Sequence, residues 1–527
     1  MITLHSITKK MGARTLFEDV TITFNNNERY GLTGPNGCGK STLFKIIMKL
    51  QEPTSGSVEL PKKIGYLKQD IEHFQDFTAL DCVIMGNERL WNALTERDSL
   101  YEHEITDEIG MKLAEIEEVI AEEDGYMAES DAEELLSGIG IPVEDQTRRM
   151  HTLPIDWQFR VLLCQALFGK PEALMLDEPT NHLDISSISW LENFLKGYDG
   201  TLIVVSHDKH FLNSITTHIA DIDYETVIIY PGNYDDMLIA KTSIRSQMED
   251  EIKNKEKKIA RLKEFVSKFS AGSRASQVQS RLKEINKLQP QELKKSNIQR
   301  PYIRFLNPEK PSGQIVMKIE HISKQFEDNQ VIKDFSLEVL RGEKIAVIGN
   351  NGLGKTTLLK MLAKVLEPDS GKVEYGHNIL KGYFPQNHKD ILEDTPKEET
   401  LFDYVKRHKS DCYDQDVRGV LGKLLFGGDD AFKEIFKLSG GETARMILAT
   451  LMLQSPNTLI LDEPNNHLDL ESVSALAWGL NQFQGTVIFS SHDRDLISEV
   501  ATKIISFTHE GIIVYSGTYE EYKDKYQ

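Results

Sequence analysis

Cysteine is scarce: 527 residues contain only Cys38, Cys82, Cys164 and Cys412, with no CxxC pair. That excludes a disulfide framework and a zinc site of the usual ligand spacing, and it fits a reducing cytosol. No run approaches the ~18 apolar residues of a membrane span, and the opening MITLHSITKK lacks the apolar core of a signal peptide. The chain is therefore expected to carry no membrane channel of its own. Cations are in deficit too: 61 Lys and Arg against 82 Asp and Glu leave a formal charge of −21. The surface as a whole cannot wrap a polyanion, so any nucleic-acid partner must meet a local basic patch. What remains is ample material for folding, with 40% hydrophobic and 27% charged residues and a length that predicts about three units.

The chain contains an internal duplication. GPNGCGKST at Gly34 to Thr42 recurs as GNNGLGKTT at Gly349 to Thr357, 315 residues later, while LDEPTNHLD from Leu176 recurs as LDEPNNHLD from Leu461, 285 later. SHD repeats at the same 285, as His207 and His492. The first copy thus holds 30 more residues than the second between its lysine and its aspartate, and the excess falls after Gln69 and Gln386. Residues 101–145, with 16 acids and one lysine, fit as the insertion. Met111, Leu113, Ile116, Val119 and Ile120 stand at helical spacing there, which predicts an acidic amphipathic helical arm. Between the copies, residues 241–300 carry 16 basic and 7 acidic side chains, a net +9 that leaves the rest at −30. Apolar stripes at helical spacing on both sides of Ser270 to Ser273 predict two antiparallel basic helices.

Each GxxxxGK[ST] follows a strand-like run and precedes a helix-like one, the setting of a phosphate-binding loop. Backbone N–H groups and the helix N-terminus face the phosphates. Lys40 and Lys355 are placed to neutralise the β and γ phosphates, and Ser41 and Thr356 to ligate Mg²⁺. ALMLDE and TLILDE are apolar strands ending in two acids. Asp177 and Asp462 are then metal-binding candidates, and Glu178 and Glu463 general bases for the attacking water. His207 and His492 each end a further apolar strand, within reach of the γ phosphate or the water.

LSGGE at Leu438 to Glu442 lies 24 residues before Asp462. With two P-loops, Gln69 and Gln386, paired LDEP and paired SHD, the chain resembles the ATP-binding cassette superfamily. Tandem cassettes, a charged helical linker and DEPxNHLD are similar to its ABC-F branch, and the acidic insertion with FVSKFSAGSRASQ looks most like the bacterial YbiT-type subgroup. The resemblance covers essentially the whole chain. It implies an α/β fold of two P-loop ABC ATPase domains, at 1–238 (acidic arm at about 98–145) and 306–527, joined by a helical hairpin linker at 239–305. It further implies ATP and Mg²⁺ as cofactors and two composite sites, each built from one domain's P-loop and the other's signature. Nucleotide contacts would come from Gly34, Asn36, Gly37, Gly39, Lys40, Ser41, Thr42 and Gln69 in the first domain. Gly349, Asn351, Gly352, Gly354, Lys355, Thr356, Thr357 and Gln386 are their counterparts, with Phe326 stacking on adenine and Ser439, Gly440 and Gly441 as the signature. Ser41, Gln69, Asp177, Thr356, Gln386 and Asp462 would ligate the metal, and Glu178, Glu463, His207 and His492 would be catalytic. Family members act at the ribosomal exit site and push the linker toward the peptidyl-site tRNA, which makes rRNA and tRNA the implied partners of residues 241–300 and the chain a monomeric cassette pair without a membrane partner. Two other readings stay open: an ATPase subunit of a transporter, and a ribosome-protecting resistance factor, for which the loop Ser270 to Ser276 is short.

Three departures stand out. Counting back 285 residues from LSGGE gives Leu153, Pro154, Ile155, Asp156 and Trp157, without serine or glycine; Arg160 then matches Arg445. The position matching Phe326 is Met11, and Asn465 replaces Thr180. The two sites are accordingly expected to be unequal, with the site facing Pro154, Ile155 and Asp156 the weaker. The opposing outcome is a shifted backbone that lets Trp157 and Arg160 compensate.

Overall fold

The computed structural model describes residues 1–527 apart from positions 13, 36, 68–70, 103–105, 182, 224, 245–258, 261, 263–299, 307–310, 327–328, 389–391, 393–394, 397, 410, 509 and 527. The expected basic hairpin, Asn36 and Gln69 lie outside the described residues.

Each copy folds around a six-stranded sheet. In the first the spatial order is Ile64–Tyr66, Ala173–Asp177, Thr201–Val205, Arg29–Thr33, His218–Asp223 and Thr226–Pro231; the first five are parallel and the last antiparallel. The second repeats the order with Lys381–Phe384, Thr458–Asp462, Thr486–Ser490, Lys344–Gly349, Lys503–Thr508 and Gly511–Ser516. Strands such as Thr201–Val205 and Thr458–Asp462 are buried at every position, which is why they read as continuous apolar runs. A three-stranded antiparallel sheet lies against each main sheet: Arg14–Phe24, Ile2–Met11 and Ser55–Glu59 in one, and Asn329–Leu340, Ile315–Phe326 and Ser370–Tyr375 in the other. Each main sheet is thus packed between two apolar cores, one on its helical face and one under the antiparallel sheet.

The acidic insertion forms helices, with bounds that differ from the expectation. Helices Glu88–Tyr101 and Asp107–Glu122 pack against each other through Leu113, Ile116 and Ile120, while Met111 is 74% exposed and lies off the packed face. The next helix, Ala128–Gly138, buries Ala128, Ala132 and Leu136 in the cassette core. The hairpin therefore spans 88–122, ten residues earlier at its start than 98, and the remainder belongs to the cassette. Its base is held by Glu123, which accepts from Lys63 at 2.5 Å, Asn87 at 2.9 Å and Arg89 at 3.0 Å. Burial pushes that carboxyl up, but the three hydrogen bonds outweigh it and hold it below the usual range.

Packed structure also extends into both ends of the expected linker. Residues 234–244 are helical, and Lys241 bridges Asp221 at 2.5 Å and Asp223 at 2.8 Å. At the far end Ile303 and Phe305 are buried in the second cassette, and Tyr302 N–H donates to the Lys423 carbonyl at 2.8 Å. Gly479 permits this docking, because a Cβ there would sit 2.6 Å from the Ile303 carbonyl oxygen. Among the described residues, no helix is long and apolar enough to cross a membrane.

Candidate nucleotide-binding sites

Both P-loops join a strand to a helix at the C-terminal edge of the sheet, Arg29–Thr33 to Lys40–Ile47 and Lys344–Gly349 to Lys355–Leu362. The helices are capped by Gly39 and Gly354 at φ 108° and 105°, a left-handed conformation that a side chain would strain. Lys40 Nζ donates to the carbonyls of Gly34 at 2.6 Å and Pro35 at 3.4 Å, and Lys355 Nζ to those of Gly349 at 2.7 Å and Asn350 at 3.0 Å. Lys355 also reaches Asn351 Oδ1 at 3.3 Å. Ser41 and Thr42 occupy the same first helical turn as Thr356 and Thr357.

In the second cassette Thr356 Oγ1 donates to Gln386 Oε1 at 3.1 Å and to Asp462 Oδ1 at 3.3 Å. Three hard oxygen donors converge, and the buried Asp462 Oδ2 has no hydrogen-bond partner, a donor set that fits Mg²⁺. Asp177 occupies the corresponding strand end in the first cassette. Burial raises the carboxyls of both Asp177 and Asp462, and Lys40 and Lys355 respectively oppose it.

The glutamates that follow have positive φ, 53° at Glu178 and 48° at Glu463, conformations sparsely populated outside glycine and held here by buried neighbours. His207 Nε2 lies 3.3 Å from Glu178 Oε1, and His492 Nε2 lies 3.4 Å from Glu463 Oε1. Burial pushes Glu178 up to about 8 and raises Glu463 likewise, while it lowers both histidines to about 3. Each imidazole is neutral, so one ring nitrogen donates and the other accepts.

The halves face each other head to tail. His207 feels the charge of Asp469, and His492 that of Asp184, its equivalent 285 residues earlier. A continuous cleft of about 1930 Å³ runs between the cassettes. Phe326, Lys355, Thr356, Gln386, Glu463 and His492 line it opposite Ile155 and Asp156. Pro35, Gly37, Glu178 and His207 share it with Ser439, Gly440 and Gly441. Lys40 and Gly34 line a small adjoining cavity with His207.

The signature helices begin in register. Gly440–Gln454 is capped by Ser439, whose hydroxyl accepts from Glu442 N–H, and Ile155–Leu167 starts after Pro154 with no side-chain cap. Ile155 stands where Gly440 does, so the backbone has not shifted. Nor is Arg160 free to compensate: it donates to Asp184 at 2.9 Å and to the Ile139 carbonyl at 3.1 Å. Trp157 packs on the core. Asp156 lines the cleft, and its charge is felt by Lys355. Asn465 proves interchangeable with Thr180 in one respect: it accepts from Ser491 at 2.9 Å, as Thr180 pairs with the equivalent Ser206 at 3.3 Å.

Sequence reasoning passed over Asp184 and Asp469, although the same 285-residue offset relates them. It also missed Arg494, which crosses the interface to donate to Ser189 Oγ at 2.6 Å and lies 3.7 Å from Glu192. No repeat could flag that residue, because its counterpart Lys209 pairs with Asp235 inside the first cassette.

Paired P-loops, paired acid-ended strands and reciprocal cassettes define a tandem ATP-binding cassette protein. A family model described as ABC transporter matches residues 17–181 and 332–466, and a second of the same description matches 220–305. The chain is 45% identical to the probable ATP-binding protein YbiT of Escherichia coli O157:H7, over 99% of both chains. It is 32% identical to ABC transporter F family member 5 of Arabidopsis thaliana, over 99% of this chain and 77% of that one. Its fold is shared with an archaeal ribosome recycling factor, aABCE1, solved with stalk protein aP1, at a TM-score of 0.63 and 16% identity over 99% and 92% of the respective chains. The chain belongs to the ABC-F family of ATP-binding proteins.

Proposed function

We propose that the protein hydrolyses ATP at two unequal composite sites and uses the cycle to act on the ribosome, at the exit site, through its basic linker. The observation that carries the ribosomal part is charge. A segment of net +9 joins two cassettes in a chain of −21, and a transporter subunit has no need of it. Such a segment suits rRNA and tRNA phosphate.

Lys40 and Lys355 hold the phosphates in this reading. Thr356, Gln386 and Asp462, with Ser41, Gln69 and Asp177 as counterparts, would hold Mg²⁺, which supplies charge neutralisation when bound. Glu178 and Glu463 polarise the water and take its proton, and His207 and His492 orient that glutamate. The water-poor burial that raises Glu178 also makes it an effective proton acceptor once it is ionised.

The test replaces Glu178 and Glu463 by Gln and follows the chain through a sucrose gradient. Shape and hydrogen bonding persist without the base, so ATP should trap the protein on ribosomes. Sedimentation with membranes, and none with ribosomes, would overturn the ribosomal reading in favour of a transporter subunit.

A further inference from the structure

The two antiparallel sheets end differently at the nucleotide cleft. Ile2–Met11 and Ile315–Phe326 are the equivalent strands, and their last residues are a thioether in one cassette and an aromatic ring in the other. Phe326 lines the cleft beside Val331 and Lys355 and is 46% exposed. Lys324 Nζ stands 5.6 Å from its ring centroid, which helps to fix the ring. Met11 is 56% exposed and has no flat face to offer. Exposed large apolar residues at one point of a nucleotide cleft mark where a base would be covered.

We propose that the sites differ in base selection: Phe326 makes the second cassette's site select purine nucleotides, and Met11 leaves the first cassette's site indifferent to the base. This rests on the reading of both cassettes as nucleotide sites. Stacking on an aromatic ring contributes about tenfold or more in affinity per base. The gain follows the area of ring overlap, so a two-ring base exceeds a one-ring base. A flexible thioether touches either kind at a few atoms and discriminates little. Triphosphate and ribose are common to ATP and CTP, so unequal signatures cancel from the ratio of their affinities at any one site.

The experiment uses the full chain carrying Glu178→Gln and Glu463→Gln, loaded with labelled ATP and titrated with CTP at equilibrium. Labelled ATP should leave in two equal steps whose midpoints differ by about tenfold or more. Adding Phe326→Met should merge them at the lower CTP midpoint, and Met11→Phe at the higher. A single step from a chain that binds two ATP overturns the proposal alone. Fewer than two bound ATP overturns the two-site reading and the proposal with it. Both added substitutions fall at exposed strand ends, so either one tests the assignment if the other fails to fold.

Discussion

Arg160 donates to the Asp184 carboxylate at 2.9 Å with both side chains at least 95% buried, and this ion pair ties the degenerate signature helix to the helix that Asp184 caps. Burial opposes ionisation of Asp184, but Arg160 and the Ser187 N–H overcome it and hold the carboxyl well below its usual range. Removing one partner leaves the other charged and buried.

Arg160→Met should therefore destabilise the first cassette by about 3–5 kcal/mol, whereas a paired apolar replacement of both residues should cost much less. Chemical denaturation of the two variants checks this. Equal losses would show that the pair contributes packing alone. Because the folded Asp184 pKa is depressed, its stabilisation is present above the unfolded value and is lost as pH falls below about 4.

The glutamates give the opposite pH dependence. Their folded pKa values are raised, so their contribution is complete below the unfolded value of about 4.3 and fades as pH rises toward 8. The melting temperature of the nucleotide-free protein should fall across that window, by roughly 2–4 °C for each kcal/mol lost. Glu178→Gln with Glu463→Gln should flatten the slope; an unchanged slope would assign it to other groups.

Unequal sites predict unequal mutants. Serine and glycine donors of Ser439, Gly440 and Gly441 face Glu178, while Pro154 offers no N–H and Ile155 adds bulk opposite Glu463. Loss of one such donor costs roughly 3 kcal/mol, about a hundredfold in rate. Glu178→Gln should abolish most steady-state ATP hydrolysis and Glu463→Gln should spare more of it. Equal residual rates would contradict the asymmetry.

The shared serine contact makes Asn465 a neutral replacement. Asn465→Thr should keep the bond to Ser491 and change ATP turnover by less than about twofold, within the scatter of conservative substitutions. A tenfold change would give Asn465 a role beyond that bond.

Charge reversal of Lys257, Lys258, Arg261 and Lys263 should weaken ribosome association and flatten its salt dependence, since phosphate contacts release counterions. Hydrolysis without ribosomes should hold. Unchanged binding across a salt series would remove the linker from the interface.

Most of the site is legible in the duplicated motifs. Phosphate loops and acid-ended strands need particular residues at fixed spacing, so the order of residues is enough to pick out Lys355, Thr356, Asp462 and Glu463. The offset of 285 even places Ile155 on Gly440. Hairpin bounds are less legible, because the acidic surface runs unbroken from the exposed helix Asp107–Glu122 into Ala128–Gly138, whose small buried residues carry no charge signal.

The sequence by itself determined the duplication, the class of nucleotide chemistry and the imbalance between the two signatures, because each depends on residue type at a set distance along the chain. Only the tertiary structure decided that Arg160 is committed to Asp184, that Arg494 clasps Ser189 across the interface, and that Gly479 admits the Ile303 backbone. Those contacts join positions 24, 305 and 176 residues apart, and they form where folded surfaces bring donors, acceptors and an open glycine face together. Spacing along a chain carries no record of which long-range partner will meet a buried charge; the need to satisfy it in a low-dielectric interior makes that choice.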